Sequence, residues 1–106
     1  MKLWVDDIRP APEGYKLCKS VNDAKWAVEY VEENFKRTND PYYKLELIDI
    51  DHDAGEYASQ GGDYINLLNW LEETGRNYPI RIHSMNPVGV ENMRRIIQKN
   101  GWTEVK

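Results

Sequence analysis

Leu47–Gly55 reads Leu-Ile-Asp-Ile-Asp-His-Asp-Ala-Gly. An apolar run of strand length breaks at its carboxyl end into acid, imidazole and acid. Burying charge is costly unless it is paired or bound to a metal, so a strand that ends this way is building a site. Two further runs repeat the pattern. Leu3-Trp4-Val5 ends in Asp6-Asp7, and Ile80-Arg81-Ile82 ends in His83-Ser84-Met85-Asn86. Three strands with polar ends predict one site along one edge of one sheet.

The intervening segments set the fold class. Two prolines and a glycine make Ile8–Gly14 a loop, and Tyr15–Lys19 is a weakly alternating strand. Ser20 is placed to cap a helix, with Asp23 three residues on. Ala24, Ala27, Val28, Val31 and Phe35 form its apolar stripe, and Asn39-Asp40-Pro41 ends it. Leu45–Ile50 is the next strand, followed by a loop over residues 51–62. Asp63 can cap a second helix with the stripe Tyr64, Leu67, Leu68 and Leu71, stopped by Gly75. After Ile80–His83, Asn86-Pro87 fits an N-cap and first helical position. Val90, Met93, Ile96 and Ile97 line that helix, which Asn100-Gly101 closes. Trp102–Val105 offers a final edge strand. Strands alternating with helices predict one α/β domain over residues 1–106, with a mainly parallel sheet and helices on both faces. Ligands of such sheets bind beyond the carboxyl ends of the strands.

The chain has 106 residues, room for a single core. It has no long apolar run, so no transmembrane helix is expected. No signal peptide is read at Met1-Lys2, and Cys18 is the only cysteine, so a reducing cytoplasm is expected. A net charge of -4 argues against duplex DNA as a partner. It leaves open a small anionic ligand held by a metal and a few donors.

The candidate site follows. Asp6, Asp7 and Asp51 are candidate ligands for a hard divalent cation, Mg2+ or Mn2+, because neighbouring strands stand roughly 4.8 Å apart. Asp49 lies one layer beneath Asp51 and is read either as an acid supporting it or as part of the sheet's fringe; the fringe is preferred and Asp49 is left out of the site. His52 and His83, the only two histidines, are candidate proton-transfer groups. Asp53 beside His52 resembles the His-Asp dyad of metal-dependent phosphohydrolases, although those hydrolases are larger all-helical domains. Ser84, Asn86 and Arg9 are candidate phosphate donors. Gly61-Gly62 is read either as a backbone anion nest or as a plain turn. Trp26, Tyr30, Tyr42 and Tyr43 offer base stacking, a homodimer face or partial core.

The motifs Leu3–Pro10, Ile50–Gly55 and Ile82–Gly89 resemble the cyclic-phosphate processing receiver domains, a small receiver-like family, and the resemblance runs from Leu3 to the last helix. It implies a flavodoxin-like, receiver-like topology. It also implies kinship with signalling receivers, in which an acidic pair and a strand-three Asp hold magnesium. Asp6, Asp7, Asp51 and Ser84 match those roles. The first receiver helix is replaced by the Ile8–Gly14 loop, no lysine clearly matches the strand-five lysine, and the two histidines are additions. The expected function is a metal-assisted phosphoesterase acting on a cyclic phosphate. The expected substrate is a nucleotide or RNA end carrying a 2′,3′-cyclic phosphate, or a cyclic nucleotide. The alternatives are a phosphoacceptor receiver using Asp51 and a module that only binds a cyclic nucleotide.

Overall fold

The computed structural model describes residues 1–106. Four short strands, β1 (Lys2–Val5), β2 (Tyr15–Cys18), β3 (Leu47–Ile50) and β4 (Ile80–Ile82), form a parallel sheet in the order β2-β1-β3-β4. Three helices, α1 (Val21–Thr38), α2 (Ile65–Glu73) and α3 (Pro87–Asn100), connect or follow them. No helix stands between β1 and β2, so the receiver-like domain with a loop in place of its first helix is what the chain forms. No helix is long and apolar enough to cross a membrane.

Helix boundaries obey the local chemistry. Ser20 Oγ accepts the Asp23 N–H at the start of α1, and Asn39 closes that helix in the left-handed region. Asn86 Oδ1 accepts the Gly89 N–H at the start of α3, with Pro87 in the first turn. The two apolar stripes on α1 and α2 are buried, Phe35 excepted, and on α3 Met93 and Ile97 are the buried pair.

Two expectations on the architecture need correction. Helices on both faces were expected, but all three lie on one. Each crossover after β2 moves the chain the same way across the sheet, and right-handed crossovers then place every helix on the same side. One core cluster accordingly joins Leu3, Val5, Ile48, Ile50 and Ile80 to the buried residues of all three helices. Trp4 and Leu47, one residue out of phase, are buried outside it. The opposite face is covered by its own side chains: Trp4 stacks on His83 at 3.8 Å and meets the edge of Tyr15 at 5.9 Å. The second correction concerns Trp102–Val105, which is reduced to a bridge between Ile80 and Glu104.

Asp63 also departs from its expected role. Its Oδ1 accepts the Ala54 N–H, and α2 starts without a side-chain cap. Gly61 packs against the start of α1, where an added Cβ would lie 2.8 Å from that of Val21, and the Gly62 N–H is donated to Ala58. The pair is a close-packed turn and not an anion nest.

Tyr64 is fully buried, and its hydroxyl donates to the Lys19 carbonyl at 2.7 Å, tying the start of α2 to the end of β2. Tyr64→Phe leaves that carbonyl unpaired and should destabilise the domain by about 1–2 kcal/mol in urea unfolding. An unchanged midpoint would show that the bond contributes nothing.

Candidate functional site

The order of strands reverses at β1 and β3: the chain leaves β1 toward β2, then returns past it to β3. At such a switch point the loops diverge and leave a crevice at the carboxyl ends. Here Asp7, Ile8, Arg9, Asp51, Asp53, Gly55, Ser84, Met85 and Asn86 line an open cleft of about 470 Å³. Six of the nine expected site residues, Asp7, Arg9, Asp51, Asp53, Ser84 and Asn86, are in that lining. Asp6 and His83 lie behind it, and His52 stands at its margin.

Asp6 is buried and saturated with donors. Its Oδ1 accepts the backbone N–H groups of Ile8 at 2.9 Å and Arg9 at 3.0 Å. Its Oδ2 accepts from His83 Nε2 at 2.8 Å and from Arg9 Nη1 at 3.4 Å. Burial alone would push this carboxyl up, but those hydrogen bonds outweigh it and hold it below the ordinary value.

His83 is a bridge. Its Nδ1 pairs with Asp49 Oδ1 at 2.6 Å and its Nε2 with Asp6 Oδ2 at 2.8 Å, and the ring lies flat on Trp4. Asp49, expected at the fringe, is instead fully buried and also takes Arg81 Nη1 at 3.0 Å. Its partners explain its depth: a buried carboxylate is tolerated when charged donors meet it.

Arg9 supplies the cation of the acidic cluster. Its Nη1 stands 3.4 Å from Asp6, 3.7 Å from Asp51 and 3.2 Å from the His83 carbonyl. Asp7 has no such neighbour. Burial first, then the charges of Asp6 and Asp51, push its carboxyl above the ordinary value, although its own backbone N–H counters this. Gly55, at φ +55°, lets the backbone pass so close that a Cβ would lie 2.5 Å from Asp7 Oδ2.

His52 and Asp53 form the dyad that their adjacency suggests. Nδ1 of His52 pairs with Asp53 Oδ1 at 2.9 Å. Nε2 has no protein partner and is not a buried group. The ring rests on the first turn of α3, where only a glycine fits: a Cβ on Gly89 would lie 2.4 Å from it. Asn86 Nδ2 donates to Asp53 Oδ2 at 3.3 Å while its Oδ1 caps α3. The hydrogen bond from His52 is the main reason the Asp53 carboxyl lies below its ordinary value, with Asn86 adding to it against a smaller burial effect. Ser84 Oγ accepts the Asn86 N–H at 3.1 Å and keeps its own proton for the cleft.

The ligand atoms of Asp6, Asp7 and Asp51 lie within 4.8 Å of one another, as do those of His52, Asp53 and Asp63. The first group fits a hard divalent ion. Its donors are all oxygen, and Asp7 and Asp51 face the cleft, the one or two carboxylates magnesium ordinarily takes.

Sequence reasoning missed the roles of Trp4, Asp49, Gly55 and Gly89. The two glycines sit inside the motifs quoted above, yet what each one makes room for depends on a partner distant in sequence.

Residues 1–99 match the family model described as Cyclic-phosphate processing Receiver domain. No curated protein and no solved structure matches the chain.

Asp7 is an acid whose folded value lies above its unfolded one. Its ionisation therefore opposes folding at neutral pH, and the penalty fades as pH falls through the raised value. Asp7→Asn should raise the metal-free thermal midpoint by about 2–4 °C at pH 7, on the order of 0.5 kcal/mol for a domain of this size. The advantage over wild type should close as pH approaches the ordinary carboxyl value of 3.8. A midpoint lowered at pH 7 would contradict the like-charge reading.

Proposed function

The chain belongs to the cyclic-phosphate processing receiver domain family, and from that premise we propose that the cleft is a metal-assisted phosphoesterase site acting on a cyclic phosphate. The substrate is a nucleotide or RNA end bearing a 2′,3′-cyclic phosphate, or a cyclic nucleotide. The observation that carries this reading is the Asp53–His52 dyad, with a free Nε2, at the margin of a cleft floored by Asp7, Asp51 and Arg9.

Asp7 and Asp51, with Asp6 behind them, would hold Mg2+ or Mn2+. When bound, the ion supplies Lewis-acid polarisation of a phosphoryl oxygen and offsets the charge of the anionic substrate. Arg9 and Ser84 donate to non-bridging oxygens. Asn86 steadies Asp53, which fixes the His52 ring through Nδ1, as the orienting acid does in a catalytic triad. His52 Nε2 accepts a proton from the attacking water. A new P–O bond forms to that water, one ring P–O bond breaks, and the released hydroxyl takes its proton from solvent at the open mouth of the cleft.

His83 has a different role from the proton exchange first expected of it. With both nitrogens committed to Asp6 and Asp49, it is a positioning residue that holds Asp6 and hence the loop carrying Arg9.

Incubation with 2′,3′-cyclic nucleotides and Mg2+ or Mn2+, followed by chromatography, should yield the monophosphates, and a chelator should stop the reaction. Asp51→Asn should keep the fold and lose the metal-dependent rate, and His52→Ala should keep the fold and lose roughly 10²–10⁴-fold in kcat, the usual range for a proton-transfer group. Full activity in both variants, or no turnover of any cyclic substrate, would end the proposal. Intact mass after acetyl phosphate treatment tests the phosphoacceptor alternative, since an added phosphoryl group on Asp51 would favour it.

A further inference from the structure

The cleft has a neighbour. Ser84, Met85, Pro87, Val90, Glu91 and Arg94 line a second open depression of about 580 Å³ along the first turns of α3. It shares Ser84 and Met85 with the phosphate cleft, so the two form one continuous surface. Apolar side chains stand exposed beside this charged site, two of them, Ile8 and Met85, in the lining of the cleft. Met85 and Ile8 are each 84% exposed and Val88 is 68% exposed.

None of these three side chains belongs to the core, so packing does not explain them. A single exposed apolar residue needs no explanation, whereas a cluster around a binding cleft marks a place where apolar ligand surface is covered. The volume of the depression accommodates one nucleoside. Its floor is a flexible thioether, a proline ring and a branched aliphatic chain, a surface suited to the face of a planar ring. Its cation is already taken, because Arg94 is held by Glu104 through two nitrogens at 2.7–3.0 Å. A second phosphate is therefore a poor occupant, and an uncharged group is a good one.

We infer that this depression is the nucleoside subsite: the cyclic phosphate occupies the Asp7–Asp51–Arg9 cleft, and the base of the same molecule lies over Met85, Pro87 and Val90. The inference rests on the phosphoesterase reading for the phosphate end. It goes beyond that reading in placing the base and naming the residues that would select it.

The test compares two ligands with the same five-membered cyclic phosphate: adenosine 2′,3′-cyclic monophosphate, and glycerol 1,2-cyclic phosphate, which has no base. Binding to the full chain is measured by calorimetry with Mg2+ present, and hydrolysis is followed in parallel. The adenosine ligand should bind the wild type at least roughly tenfold more tightly, the effect of covering one apolar side chain and a ring face. Met85→Ala, a change at an exposed position, should remove most of that ratio, and Val90→Ser should reduce it. Equal affinity of the two ligands, or a ratio unchanged in both variants, overturns the subsite. Hydrolysis of both ligands with equal kcat/KM leaves the phosphoesterase reading standing while the subsite falls. Met85-dependent binding of the adenosine ligand without any hydrolysis supports the subsite while the phosphoesterase reading falls.

Discussion

The Asp49–His83–Asp6 bridge is the interaction on which the site depends. It joins β3, the end of β4 and the end of β1 through two hydrogen bonds of 2.6 and 2.8 Å. Each carboxylate on its own would be an expensive burial. Together with Arg81 and Arg9 they form an alternating row, in which each carboxylate meets one arginine and the His83 ring. Such a row is strongly directional: breaking one link strands a buried charge. Hydrophobic contact between strands could tolerate a slip of their ends, but this row cannot.

The bridge also explains how the domain survives with helices on one side of its sheet. An all-parallel sheet ordinarily buries both faces under helices. Here Trp4 lies against His83 and points its Nε1 at the Arg9 carbonyl at 3.1 Å. Asp6 accepts the next two free N–H groups of the same loop. The loop that stands where a first helix would be is therefore fastened at its start by side chains of β1 and its acidic end. Trp4, the His83 imidazole and the Asp6 carboxylate do the fastening, and Tyr15 adds to the cover. The same contacts carry Arg9 over the acidic cluster, so the departure from a complete receiver layer and the position of the site's cation have one cause.

Much of the architecture was legible because its signals are local. The strand ends, the Ser20 and Asn86 caps, the stop at Asn39 and the stripes of α1 and α2 follow from spacing and capping within a few residues. Convergence of Asp7, Asp51 and Ser84 on one cleft follows from strand direction alone. What was not legible depends on pairs far apart in sequence. Period two gave the side of the sheet on which Asp49 lies but not its depth, which is set by Arg81 and His83. His83 was placed at the right edge, but only its two partners show that it faces inward. Asp63 lies where a helix cap belongs, and a backbone N–H nine residues earlier takes it instead. Gly89 reads as an ordinary early helical residue until the His52 ring is set against it.

The two histidines, alike in sequence context, are thus opposite in chemistry. His83 has an acid on each nitrogen and no route to a ligand, so exchanging a proton there would break the links that hold β1 to β3 and β4. His52 has an acid on one nitrogen only, and its other nitrogen is open. The asymmetry extends to Asp51. Its Oδ1 accepts the His52 backbone N–H at 2.8 Å, which leaves Oδ2 toward Arg9. A signalling receiver needs this oxygen as a nucleophile, assisted by a lysine on the far strand. In this chain the nearest cation arises from the loop after β1, beside the acid pair, and an imidazole oriented by Asp53 stands beside the Asp53 and Asn86 side of the same cleft. A cation on that side suits holding a phosphate against the acids, and an imidazole in that place suits activating water. Both features favour attack by solvent over capture of the phosphoryl group by Asp51.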